Sequence, residues 1–113
     1  MKIIKKPWGS EEIISYNKIY VVKKLFMKKG HRCSLQFHRL KHETVFLITG
    51  MLKVYFGSNK YKLRKKVLKK NQSIILKPKT IHRMEAIKDS IYLESSTPHL
   101  DDVVRLEDDY RRI

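Results

Sequence analysis

Short apolar segments recur along this chain at close spacing, and no long stretch with a 3.6-residue period occurs before residue 100. The segments are Ile19–Met27, Cys33–Phe37, Thr44–Thr49, Met51–Phe56, Tyr61–Leu68, Ser73–Leu76 and Ile91–Leu93. They are rich in Val, Ile, Tyr and Phe, the residues that pack well on a pleated surface. Gly30, Gly50, Gly57, Ser58, Asn59 and Asn71 fall between them as turn residues. Leu52, Val54 and Phe56 alternate with Met51, Lys53 and Tyr55, the period of two that a strand requires. Many short strands with turns between them predict an all-β protein, a sandwich or a barrel. The charged tail from Asp101 to Ile113 fits a short helix or a wrapped extension. No linker or fixed-period repeat divides the 113 residues, which suit one domain over 1–113.

Charge is the second constraint. Lys and Arg number 26 against 11 Asp and Glu, a net +15, which points to an anionic partner without naming it. The densest basic run, Lys60–Lys70, reads KYKLRKKVLKK. Lysines outnumber arginines 19 to 7, and no nucleic-acid-binding signature accompanies the run. The expectation is a solvated edge strand or hairpin, where lysines also block edge-to-edge pairing, and no nucleic-acid partner. One cysteine, Cys33, excludes an internal disulfide framework and a Cys-rich zinc site. The N-terminus has no apolar core of a signal peptide, and apolar runs reach only three or four residues. A cytoplasmic location with no membrane partner is expected.

Residues Gly30–Gly50 carry the chemistry, with the skeleton G-x5-Q-x-H-x4-E-x6-G. Gln36 and His38 stand two apart on a predicted strand and share a face. Glu43 opens the next strand and can fold back on that face. His82 follows a Pro-containing turn in LKPKTIHRME. One amide oxygen, two imidazoles and one carboxylate can make four protein ligands with positions left open for a substrate. Such a mixed set suits one divalent ion, Zn, Mn, Fe, Co or Ni. Taken singly, a Q-x-H or one histidine reads equally as a polar residue on a half-exposed strand. The complete spaced set, with glycine at both ends, favours the metal.

This skeleton resembles the first motif of the cupin superfamily, whose usual form begins H-x-H. A first ligand of glutamine is similar to the type II mannose-6-phosphate isomerase group, found also as the C-terminal domain of bifunctional guanylyltransferase/isomerases. Lys6-Pro7-Trp8-Gly9, Tyr20–Lys23, Ser34–His38, His82–Glu85 and Asp101–Arg105 with Asp109-Tyr110 each resemble a motif of that group, across nearly the whole chain. The resemblance implies a cupin-type jelly-roll β-barrel with Gln36, His38, Glu43 and His82 as metal ligands. It also implies a phosphorylated sugar as substrate and aldose–ketose isomerisation as the reaction. Departures lie around the pocket. Lys41 stands where the group has arginine, and Thr44-Val45 stand for its His-Trp. Lys79 and Arg111 replace usual glycines, and Ala86 replaces an asparagine. These changes keep two alternatives open: a binding-only cupin for a sugar or sugar nucleotide, and a carbohydrate epimerase.

Isomerisation needs a base to move a proton between C1 and C2. Glu43, His42, Lys41 and Glu94 are candidates, with Glu43 and Lys41 placed first as catalytic residues. Arg105 is the first choice to hold the phosphate, since guanidinium grips phosphate with two parallel hydrogen bonds. An ion pair with Asp101, Asp102 or Asp108 is its alternative. Arg83 and Lys23 are weaker anchors, read rather as solvated charges. Trp8 either lines the pocket mouth or packs the barrel end. Strand parity sets Ser34, Gln36 and His38 toward the metal and Cys33, Leu35 and Phe37 outward. Three apolar residues on an outer face need cover. A second subunit would supply it, so a homodimer is expected, with the Met1–Ile14 segment as the alternative cover.

Overall fold

Alternation of inward and outward residues builds eleven strands in the computed structural model, which describes residues 2–113. They are β1 (Lys2–Lys6), β2 (Gly9–Tyr16), β3 (Val21–Met27), β4 (Leu35–Phe37), β5 (Glu43–Thr49) and β6 (Leu52–Gly57). After these come β7 (Arg64–Leu68), β8 (Ser73–Leu76), β9 (Ile81–Ala86), β10 (Ser90–Ser96) and β11 (Val104–Glu107). One sheet has the order β1-β2-β3-β10-β5-β8, and the other β11-β4-β9-β6-β7, with every pairing antiparallel. The all-β expectation holds. The tail is a wrapped extension carrying β11, and no helix occurs among the described residues. No helix is therefore long and apolar enough to cross a membrane.

The two sheets enclose Leu25, Met27, Val45, Leu47, Leu52, Val54, Leu68, Leu76, Met84, Ala86 and Tyr92, all buried. Trp8 joins this cluster and also lines the cavity described below, so both readings of it hold. The inward faces change character along their length. On β3 the inward residues run Met27, Leu25, Lys23; on β5 they run Leu47, Val45, Glu43; on β10 they run Tyr92, Glu94. The register sets Glu94 opposite Lys23 on one side and Val45 on the other. One end of the barrel interior is thus apolar and the other charged.

Strand β7 is a sheet edge, and Arg64, Lys65 and Lys66 on it are exposed, as the basic run predicts. Cys33 does not face outward as strand parity predicts. Regular alternation begins only at Leu35, so Cys33 turns inward and joins the core, where its Sγ accepts the Met84 amide at 3.3 Å. Burial pushes its thiol up to about 11, as fits a packing residue. Leu35 is 3% exposed within the single chain, so the outer face does not need a second subunit to cover it. Met1, where the alternative cover would start, lies outside the described residues.

Glycine geometry explains the motif ends. Gly30 and Gly50 have φ of +82° and +100°, in the region that glycine alone enters freely. Lys79 and Arg111, at positions where the isomerase group has glycine, keep left-handed φ of 67° and 59°. A side chain there costs about 1 kcal/mol. Lys79→Gly is accordingly expected to stabilise the fold by up to about 0.5 kcal/mol, net of the added freedom of the unfolded chain. Thermal unfolding checks this, and an unchanged or lower midpoint would count against the strain.

Candidate metal centre

The ligand-type residues come from both sheets. Strand β4 carries Gln36 and delivers His38 one residue past its end; β9 carries His82, registered directly against Gln36. Across the barrel, Glu43 is the first residue of β5. His38, Glu43 and His82 are all buried, with one ligand atom each within 4.8 Å of the others. Glu43 Oε1 lies 3.2 Å from His82 Nε2 and 3.5 Å from His38 Nε2. Gln36 lines the cavity beside them, its Oε1 accepting the Ser34 hydroxyl at 2.6 Å and keeping a second lone pair.

Backbone carbonyls fix both rings. His38 Nδ1 meets the Asp102 carbonyl, and His82 Nδ1 meets the Thr80 carbonyl at 2.9 Å. A carbonyl only accepts, so each Nδ1 carries a hydrogen and each ring turns its Nε2 to the centre. His38 Nε2, His82 Nε2 and both Glu43 oxygens are buried with no hydrogen-bond partner. Four buried polar atoms left without hydrogen-bond partners are costly unless a cation sits among them. These residues fit a divalent metal.

Charges around the centre are graded. Burial would push the Glu43 carboxyl up, yet the two imidazoles and Lys41 hold it well below the usual carboxylate range. Lys41 Nζ sits 3.4 Å from Glu43 Oε2, a charge contact without a well-directed hydrogen bond. Burial alone would lower the Lys41 ammonium; Glu43 and Glu94 raise it instead. Glu94 lines the same cavity, and burial, helped by the Glu43 charge, pushes its carboxyl up to about 7 against Lys41 and Lys23.

Several expectations change here. Lys23 and Arg83 are not solvated charges. Lys23 points into the barrel and pairs with Glu11 at 3.3 Å. Arg83 is 5% exposed on the other face, donating from Nε to the Cys33 carbonyl at 3.1 Å and lying 4.0 Å from Asp109. His42 is exposed and is not placed among the cavity-lining residues. Arg105 lines the cavity from β11, registered against Gln36, and its buried Nε has no partner. None of Asp101, Asp102 and Asp108 pairs with it among the described residues; Asp108 is held instead by Arg112 at 2.7 Å.

The residue the sequence reading missed is Asp102. Its carboxylate accepts the amides of Arg39, Leu40 and Lys41 at 3.0, 2.7 and 2.8 Å, while its carbonyl holds His38. The terminal motif contained it, but its contacts lie over sixty residues away. Burial would raise its pKa, but the three amides prevail and hold it at about 2; the Arg112 guanidinium does the same to Asp108. A carboxyl held below its unfolded value of about 3.9 stabilises the fold above that pH, and the contribution is lost as pH falls toward 2. Residues 101–112 are expected to loosen first between about pH 4 and 2. Amide hydrogen exchange across that window reads it directly, and uniform loss of protection along the chain would contradict it.

An antiparallel two-sheet barrel with a mixed imidazole–carboxylate cluster at its polar end defines a cupin. An RmlC-like cupin from Shewanella frigidimarina superposes with a TM-score of 0.75 at 18% identity, covering 86% of this chain and 83% of that one. A Bacillus subtilis oxalate decarboxylase, described with Mn(II) centres, superposes with a TM-score of 0.80 at 16% identity, over 94% of this chain and 30% of that one. The sequence narrows the class further. Residues 1–108 match the family model for the mannose-6-phosphate isomerase C-terminal domain, and the chain belongs to that family. Among curated relatives, the mannose-1-phosphate guanylyltransferase RfbM of Salmonella typhimurium is 28% identical over 112 residues, covering 90% of this chain. The chain spans about a fifth (21%) of that relative's length.

Proposed function

We propose that residues 1–113 act as one cupin domain that binds a divalent metal through Gln36, His38, Glu43 and His82 and interconverts an aldose and a ketose phosphate. The observation that carries this reading is the convergence of buried, donor-free nitrogen and oxygen atoms beside a polar cavity. A divalent ion bound there supplies Lewis-acid polarisation of a sugar carbonyl. Glu43 serves as ligand, and Lys41 neutralises its outer oxygen and presents an ammonium to the cavity. Arg105 takes the phosphate through its unpartnered guanidinium edge. The charges agree with such a ligand. Lys6, Lys23, Lys41, Arg105 and Arg112 line the cavity against Glu11, Glu43 and Glu94, with Arg112 paired to Asp108. A divalent cation adds to that positive balance, which suits a phosphate dianion.

The metal is one of Zn, Mn, Fe, Co or Ni, and the site of action is the cytoplasm. A homodimer is part of the reading, now resting on exposed Ile3, Ile14 and Tyr16 of the β1–β2 edge rather than on Cys33; a strict monomer mass at micromolar concentration would remove it. The direct test is metal analysis of purified protein followed by assay against a panel of aldose and ketose phosphates. No turnover with metal present would defeat the isomerase reading. The binding-only alternative draws on Lys41, Thr44 and Val45, the changed positions near the centre. It expects sugar phosphates or sugar nucleotides to raise the melting temperature without turnover. An epimerase would interconvert two aldoses in the same panel.

A further inference from the structure

We infer that Glu94 is the residue that carries the proton between C2 and C1, a role that rests on the isomerase reading and deepens it. Four groups near the centre offered themselves as base, and geometry separates them. Both Glu43 oxygens are committed, one to His38 and His82 and the other to Lys41. Lys41, an ammonium beside that carboxylate, has no free lone pair. His42 is exposed. Glu94 alone among the four lines the cavity while no ion pair or side-chain hydrogen bond engages it among the described residues. Lys23, its neighbour across β3, is occupied by Glu11. Tyr92, two residues earlier on the same inward face of β10, is fully buried with a hydroxyl that has no partner. Glu94 is thus the cavity carboxyl left free to meet a ligand.

The step balances within the substrate and one carboxylate. Glu94 takes the C2 proton of the aldose. The C–H electron pair becomes the C1–C2 double bond as the carbonyl π pair moves onto O1. The O2 hydroxyl proton ends on O1, and the O2 electrons form the new C2 carbonyl. The C1–C2 π pair then recovers the proton from the Glu94 carboxyl at C1. Nothing is oxidised overall, and no co-reactant is needed.

The experiment compares wild type with Glu94→Gln and Glu94→Asp, each metal-loaded, on whichever member of the sugar-phosphate panel wild type turns over, in deuterium oxide. Three readouts are taken: metal per chain, ligand-induced thermal shift, and deuterium appearing at C1 or C2. Glu94→Gln is expected to keep metal and thermal shift while kcat and deuterium incorporation fall by about 10²–10⁴-fold. Glu94→Asp, with the carboxylate one methylene short, is expected to retain partial exchange. Turnover and exchange within threefold of wild type in Glu94→Gln would overturn the role and leave the isomerase reading standing. Equal loss of metal in both variants would also overturn it, since Glu94 would then be structural. Wild type without turnover on any panel member, metal present, would instead overturn the isomerase reading itself and the role with it.

Discussion

His82→Ala is expected to leave the purified protein without stoichiometric divalent metal and without turnover. The imidazole is 1% exposed, so no solvent group stands ready to replace it. Its Nε2 is 3.2 Å from Glu43 Oε1, and its orientation is fixed by the Thr80 carbonyl. Outer-shell changes at metal sites cost about 10–100-fold in affinity, and loss of a direct ligand exceeds that. The metal-free variant is also expected to be less stable than the metal-free wild type. Glu43 would keep only the His38 and Lys41 contacts in a buried setting, at a cost of about 2–4 kcal/mol. Elemental analysis and urea unfolding of both proteins decide the matter. One metal per chain in the variant would remove the proposed centre.

Gly50→Ala is expected to destabilise the barrel by at least about 3 kcal/mol, more than a methyl group added at Gly30 or Gly57. A Cβ at Gly50 would lie 2.4 Å from the Asp89 carbonyl oxygen and 2.7 Å from the Ser90 Cα, both backbone atoms. The site also has φ of +100° and adjoins the bonds that tie Met51 to the Ser90 hydroxyl. Gly30→Ala is the control. Gly30 shares a positive φ, but nothing lies within 4 Å of its would-be Cβ. Its loss should be confined to conformational strain, about 1–2 kcal/mol. Equal midpoints for the two variants in denaturant would refute the crowding argument. Position 9, where a Cβ would meet the Phe26 carbonyl at 1.9 Å, should behave still more severely.

Much of the frame was legible because it depends on local alternation. Ser73–Leu76 is a strand with the bounds read from its apolar run, and Leu52 and Val54 are inward as their period requires. The ligand spacing was legible for the same reason, since Gln36 and His38 share a strand face. The four strands outside the apolar runs are β1, β2, β9 and β11, which mix apolar residues with many charged ones. They exist because neighbours complete their hydrogen bonding, and a single segment does not carry that information. The polar end of the interior was missed for a different reason. Lys23 is in phase with Leu25 and Met27, and Glu94 with Tyr92. That phase is present in the sequence, but a charged residue in phase with apolar ones is equally compatible with a snorkelling, solvated side chain. Asp102 was beyond local reach altogether, because its partners at 38–41 are brought to it by tertiary folding.

The division of the barrel interior into an apolar end and a charged end separates two kinds of selection. Mutations at Leu47 or Val54 are expected to change whether the chain folds, whereas those at Lys41 or Arg105, which line the cavity, are expected to leave the fold standing. Glu43 and His82 lie at the charged end, while Val45 and Met84, two residues along the same strands, belong to the apolar cluster. A lineage can therefore alter the charged end while the apolar foundation stays intact. The lysine at position 41, in place of the arginine usual in similar isomerases, has the character of such an alteration.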